Sequence, residues 1–369
     1  MIISPRVTLM AGGEDLEVEK GFHSFTYFES VYGCAAWALS TTTDRWEGWD
    51  GVIQDGAKTP CKLRWGYTAG NQDHWGQWRT VLVNGGRFHY RYGSLRASVQ
   101  ATDTGIRLRE TCSERAFVDT TIAEMVRKIA KNANLKPDVE ETEGKWTLYT
   151  CTLDDGAFLR HELLPRAVSA TGRADFYLYV SNGDTLVFKP PELGEAAYTF
   201  RLAPTTGQQN PTDVAALRID YRRLYLPLDG SLSTAARGFD PLKKVPVFWK
   251  ADDNSVTYTH LASRTLPAPD KPSTVLSVVE PHPDAFRNQD VGNRAKSTWS
   301  RELHGLFRVA LRVLPLPEAE VASIVSLEVK DSQGRDHFLG GRYFVYAIRH
   351  LIRPTSYKTV LYLERRTMS

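Results

Sequence analysis

Between Phe307 and Val313 the residues Phe307, Val309, Leu311 and Val313 share one face, while Arg308 and Arg312 share the opposite side. A period of two is the signature of a strand with one buried face. Val325, Leu327 and Val329 repeat the pattern, and Gly340-Gly341 leads into further strands over Arg342 to His350 and Tyr357 to Leu363. The other end of the chain reads alike. From Ile2 to Arg109 short apolar segments, among them Val7 to Leu9, Phe25 to Phe28, Arg79 to Val83 and Ser94 to Ala101, are broken by Gly, Asn and Asp. Both ends are therefore β, and the N-terminal pattern is an antiparallel signature. Asn84-Gly85-Gly86 stands between two such runs and predicts a hairpin turn built on positive φ.

The period changes at Asp119. Thr121 and Glu124 have capping-box spacing, and Ile122, Met125, Val126, Ile129 and Ala130 form one helical face, which Asn134 and Pro137 terminate. A second helical stretch is predicted over 155–171, with Phe158, Leu159 and Leu163 inward, Pro165 kinking or splitting it, and Gly172 ending it. Phe176 to Val180 and Thr185 to Lys189 are strands joined across Asn182-Gly183, the strongest short hairpin signal in the chain. A strand follows over Ala215 to Tyr221. Pro227 to Pro283 is Pro-rich and poorly periodic, and reads as an insertion with short strands. A modest helix is predicted between Asn293 and His304, ended by Gly305.

A chain of 369 residues with 42% hydrophobic content can bury two or more cores. With 46 basic and 43 acidic residues the net charge is only +3 and the basic residues are scattered as on ordinary solvated surfaces, so no electrostatic footprint argues for a nucleic-acid binder, and no sequence-specific nucleic-acid partner is expected. No apolar run reaches the roughly 20 residues of a membrane span. Met1 to Glu19 lacks the apolar centre of a signal peptide, which implies cytosolic synthesis. Cys34, Cys61, Cys112 and Cys151 fall into no zinc spacing and read as reduced thiols rather than as a bridge or shared cluster.

The common phosphate, dinucleotide, zinc-protease and hydrolase motifs do not occur. Asp154 and Asp155 are adjacent carboxylates, but they stand where a helix needs an N-cap. No catalytic residue, metal ligand or cofactor is assigned, and the expectation is a non-enzymatic protein. The residues singled out instead are Trp46, Trp49, Trp65, Trp75 and Trp78, crowded into one Gly- and Asp-rich region. Tryptophans there plug a core or anchor a subunit contact. A carbohydrate platform is the runner-up, which would make the chain a sugar-binding tail or surface protein. A polysaccharide-degrading enzyme, needing two carboxylates across a cleft, is the third reading.

In order along the chain stand a strand at Leu95 to Asp103, the helix from Thr121 to Ala130 followed by Asn134-Leu135, a helix carrying Phe158-Leu159, and the hairpin Phe176 to Phe188. A closing pair follows at Gly341 to His350 and Tyr357 to Leu363. This series resembles the baseplate hub proteins of tailed phages, the late-control D family and the hub half of type VI secretion spikes. Pro165 and the Trp-rich stretch depart from the usual pattern.

The resemblance implies a mainly β, α+β fold in which two tube-like antiparallel β-barrels flank an αβ domain. The first barrel would occupy 1–115, the αβ domain 116–204, and the second barrel 205–236 plus 304–369, with 237–303 inserted near the αβ domain. It further implies a homotrimeric ring in the virion baseplate, joining a sixfold tail tube to a threefold spike or tip around the DNA channel. Its partners would be the tube or distal tail protein, a spike or tip protein, the tape-measure C-terminus and baseplate wedge proteins. The hub-like strand ends near Arg365, so the spike is expected to be a separate polypeptide.

Overall fold

A computed structural model describes residues 3–43, 49, 52, 60–91, 93–150, 153–192, 194–202, 216–221, 232–240, 243–251, 276–281, 288–304, 307–330, 333–337 and 339–365. The N-terminal unit comprises β1 (Ile3–Ala11), β2 (Glu14–Asp15), β3 (Phe22–Ser30), β4 (Gly33–Thr43), β5 (Cys61–Ala69), β6 (Gln72–Trp75), β7 (Arg79–Arg91) and β8 (Ser94–Asp103). Alternation drives them. Along β8, Leu95, Ala97, Val99 and Ala101 are buried while Arg96, Ser98 and Gln100 are exposed. Asn84-Gly85-Gly86 makes no hairpin. It lies inside β7, where the pairing with β8 shifts by a residue between Val83 and Gly85, so the small residues accommodate a bulge and the strand continues.

The central unit contains β9 (Arg115–Thr120), α1 (Ile122–Asn132), β10 (Lys136–Val139), β11 (Trp146–Thr150), β12 (Tyr177–Ser181) and β13 (Thr185–Lys189). Thr121 and Glu124 form the reciprocal capping box of α1, and Asn134 takes a positive φ of 56° just beyond its end. The second helical stretch is shorter than its sequence suggests. It passes from one α-turn at Asp155–Ala157 through π geometry at Phe158–Leu163 to a 3₁₀ turn at Leu164–Arg166, ending next to Pro165. Between β12 and β13, Asn182 and Gly183 have φ of 52° and 79°, as a tight hairpin turn requires.

Neither β12 nor β13 alternates between core and solvent, because both faces are covered. Leu178, Val180, Leu186 and Phe188 join one core with α1, whereas Tyr177, Tyr179 and Val187 join another with the C-terminal strands. Each fully buried large apolar side chain of this kind contributes about 1.5–3 kcal/mol.

Next come β14 (Tyr198–Leu202), β15 (Ala216–Tyr221), β16 (Leu232–Asp240), β17 (Val245–Ala251), β18 (Leu276–Pro281) and α2 (Asn288–His304). The chain closes with β19 (Phe307–Val313), β20 (Ile324–Val329), β21 (Gly341–Arg353) and β22 (Ser356–Arg365). β16, β17 and β18 form a separate three-stranded sheet, so this layer begins at Leu232, inside the segment expected to open the second barrel. α2 is tied to the central unit. Arg166 pairs with Asp290 at 2.9 Å, and the Asn293 amide donates to the Arg166 carbonyl at 2.8 Å.

The two β-rich ends do not form two closed barrels among the described residues. They share one 14-stranded sheet, ordered β15-β19-β22-β21-β3-β4-β8-β7-β5-β1-β2, with β6, β14 and β20 alongside. The cause is β21. Its first residues pair with β20 (Leu327↔Gly341 to Ile324↔Phe344), its pairing with β22 slips between Val345 and Ala347, and its remainder pairs with β3 from Ala347↔Ser30 to Ile352↔Phe25. The edges that could have closed each end on itself are thus paired with each other. Even so the sheet curls, since Val7 and Leu9 of β1 share a core with Ile352 and Tyr357 of the β21–β22 hairpin, several strands away in the sheet.

Candidate interface

Three buried polar seams hold the units together. At the first, Arg79 lies 3.6 Å from Glu29, both almost fully buried, and the Tyr27 hydroxyl donates to Glu29 at 3.2 Å. Arg79 also donates to the Asn182 side chain, and the Gly183 carbonyl accepts from the backbone and hydroxyl of Thr104 at 3.1 and 2.6 Å. The β12–β13 turn is thereby docked on the N-terminal unit. At the second seam, Glu364 accepts from the hydroxyls of Tyr32 at 2.7 Å and Tyr177 at 2.9 Å, with Arg308 at 3.4 Å. Burial dominates and pushes the Glu364 carboxyl up to about 7. The third seam is the Arg166–Asp290 contact.

The sequence missed a role for Asp155. Asp154 caps its helix, accepting from the Ala157 amide at 2.7 Å, whereas Asp155 is buried and bridged by Arg115 at 2.9 and 3.1 Å. Both are accounted for structurally. His350, buried between Trp65 and Tyr357, is held neutral, its pKa lowered to about 3 by burial and then by Arg79. The Cys34 thiol faces a small hollow beside His161 and Arg160, but burial raises its pKa to about 11, the opposite of what an activated nucleophile needs. Cys34 and Cys112 are free thiols, Cys61 is buried in the N-terminal core, and Cys151 lies outside the described residues. Among the described residues no His, Cys, Asp and Glu converge as a metal site, and no helix is long and apolar enough to cross a membrane.

The tryptophans separate into two sets. Trp49 and Trp65 are each 1% exposed, inside the N-terminal core, with Trp65 4.3 Å from the Tyr27 ring and Trp49 edge-on to Phe88. Buried rings cannot offer a sugar platform or an outward contact. Trp75 and Trp78 lie at the surface, where the Arg64 guanidinium sits 4.3 and 4.4 Å from their ring centres and Arg6 covers Trp75 at 4.8 Å. With their faces already engaged by arginine, they too are poorly placed to stack on a sugar. Trp46 lies outside the described residues. The interface expectation thus narrows to Trp75 and Trp78.

Other apolar groups are exposed nearby and elsewhere. Val118 and Tyr149 protrude together from β9 and β11, and Phe248 from β17. A cleft of about 950 Å³, lined by Ile3, Tyr67, Tyr198, Phe200 and Leu314, separates β1 and β5 from β14 and the segment after β19. Along β1, no strand pairs with Ile3–Leu9 on the side away from β5 among the described residues. The sheet ends on that side at β2 and on the other at β15.

No family model and no curated protein matches the sequence. Solved structures do. The chain is similar to the 43 kDa tail protein of prophage MuSo2 from Shewanella oneidensis, at 14% identity, 98% of this chain, 99% of that one and a TM-score of 0.62. It is also similar to a tail protein from Neisseria meningitidis MC58, at 13% identity, 98% and 97% coverage and a TM-score of 0.65. An E. coli component of the type VI secretion system is 8% identical, with 97% of this chain and 77% of that one covered at a TM-score of 0.55. At such identities the likeness is one of fold: the chain has a fold like that of these phage tail proteins and this type VI secretion component.

Proposed function

We propose that this protein is a structural, non-catalytic hub of a phage tail baseplate, three copies of which form a ring that adapts a sixfold tube to a threefold spike or tip. The observation that carries the reading is the end-to-end likeness in fold to two tail proteins, which leaves little of either chain uncovered. The architecture supports it. Each copy has two β-rich ends joined edge to edge through β3 and β21, with the central unit docked on both. Three copies would then present six similar β-rich units, the number a sixfold tube needs, and closed symmetry would satisfy the repeated contacts. Among the described residues β1 along Ile3–Leu9 and β15 each keep one edge without a strand partner, and these are the natural places for pairing between copies, because such edges invite it. In this reading the chain resides in the virion, at the baseplate, against the tube or distal tail protein, the spike or tip, the tape-measure C-terminus and wedge proteins. Copy number in a reconstruction of the assembled tail tests it. Three copies around the axis are expected; six copies, one copy, or a place on a peripheral fibre would refute the hub role.

A further inference from the structure

Seven neighbouring strands, β19-β22-β21-β3-β4-β8-β7, turn one face away from the cores, and their register fixes what lies on it. One row runs Arg312–Val360–Arg349–Phe28–Ala36–Thr102, the next Lys358–Leu351–Thr26–Ala38–Gln100–Gly85, and a third Ser24–Ser40–Ser98–Arg87. Directly opposed residues in antiparallel strands share a face. Arg353 stands two residues beyond Leu351, and Arg96 two before Ser98, so both join it. Arg87, Arg96, Arg312, Arg349, Arg353 and Lys358 are all exposed there. The only carboxylates in these strands are Glu29, Asp103 and Glu364, each 2% exposed or less, so none balances the surface cations. A chain whose overall charge is nearly even thus has one face that is cationic.

The middle of the face is low. Ser24, Thr26, Ala36, Ala38, Ser40 and Gln100 floor two adjoining hollows of about 430 and 630 Å³. From β21 to β7 are four interstrand steps, roughly 19 Å at about 4.8 Å each. Long arginines thus rise on both margins of a strip made mostly of small hydroxyl, methyl and amide groups, with the exposed Phe28 ring next to Arg349. That arrangement suits repeated phosphates, which cations and hydroxyls bind without reading bases. Arginines reaching inward from both margins can meet the phosphate strands bordering a major groove about 12 Å wide. An acidic protein partner would be better served by a free aromatic anchor at the centre; the exposed aromatic of this face, Phe28, stands beside Arg349 near one margin and packs edge-on against Tyr362 at 6.3 Å.

We infer that this face binds the backbone of double-stranded DNA independently of sequence. The hub reading enters only as the source of the DNA, which would pass along a ring of such faces. The test uses the full chain and a fluorescent duplex of about 30 base pairs, long enough to cover the face, titrated from about 50 to 200 mM salt. Roughly micromolar binding at the low end is expected, with a slope of log K against log salt near −5 if six phosphates are engaged. The variant R87E/R349E/R353E should lose at least about tenfold in affinity, while K128E/K131E on α1 should bind within about twofold of the parent chain. Thermal melting should be unchanged in both. No binding at low salt, equal binding by R87E/R349E/R353E, or tighter binding of poly-glutamate than of duplex at matched charge would overturn the inference, the last assigning the face to an acidic protein. If three copies ring the tail axis but the charge-reversed variant binds like the parent, this inference fails and the hub reading stands. If the variant loses binding and the chain lies on a peripheral fibre, the inference holds and the hub reading fails.

Discussion

Gly183 carries the docking of the central hairpin. It has φ of +79°, and a Cβ there would lie 1.8 Å from the Thr80 carbonyl oxygen, so Gly183→Ala faces a backbone clash that no rotamer relieves. We expect a loss of about 3 kcal/mol or more in denaturant unfolding. Gly12→Ala makes the comparison: its φ is +58°, nothing lies within 4 Å, and a cost of only about 1 kcal/mol is expected. Glu364 sets a pH dependence. Its pKa rises from an ordinary 4.5 to about 7 in the fold, chiefly through burial, so the folded state holds the proton more tightly than the unfolded one. Its stabilising linkage is full below about pH 4.5 and erodes as pH rises toward 7. Glu364→Gln, which keeps a neutral side chain of the same shape, should therefore melt progressively closer to, or above, the parent chain as pH goes from 5 to 7.5. A melting difference flat across that range would contradict the buried-carboxyl account. His350 acts in the opposite sense, since a pKa depressed from 6.5 to about 3 costs stability as pH falls through that interval.

At the scale of elements, α1 combines a complete capping box with a buried face of Ile122, Met125, Val126 and Ile129. Thr121→Ala removes the hydroxyl that accepts from the Glu124 amide at 3.2 Å, and should cost about 1 kcal/mol in chemical denaturation without altering the fold. The Arg115–Asp155 bridge is a sharper test of how the second helix is held. Arg115→Ala strands a buried carboxylate and should cost about 3–5 kcal/mol, whereas R115A/D155N should recover much of that loss. A double variant no better than the single one would mean that Arg115 acts through packing alone.

For the whole molecule, the units are joined by main-chain pairing and buried polar seams rather than by linkers alone, so the surface left for partners is well defined. Trp78 is 37% exposed beside Arg64 at the rim of the N-terminal unit. In the hub reading this rim is an inter-protein contact. Trp78→Ala should leave the melting temperature of the isolated chain within a few degrees of the parent, as expected for a surface change. It should also reduce incorporation into tails, measured by co-sedimentation with assembled particles. Full incorporation would remove Trp78 from the contact.

Period-two alternation at both ends, the capping box at Thr121, the Asn182-Gly183 turn and the N-cap at Asp154 were all legible in the sequence. Each is decided by residues a few positions apart, where sterics and local hydrogen bonds act directly. Non-local pairing was not legible. Alternation tells which residues of a strand share a face but not which strand lies beside it, so the β21–β3 join that replaces two closed barrels by one sheet could not be read. For the same reason Asn84-Gly85-Gly86 looked like a turn, although β8 pairs continuously along β7 past a bulge. Trp49 and Trp65 share a composition-rich stretch with Trp75 and Trp78, and only packing sends the first pair inward. The six surface cations are scattered from Arg87 to Lys358 in sequence. Strand register, set by tertiary pairing, gathers them onto one face and leaves the neighbouring carboxylates beneath it.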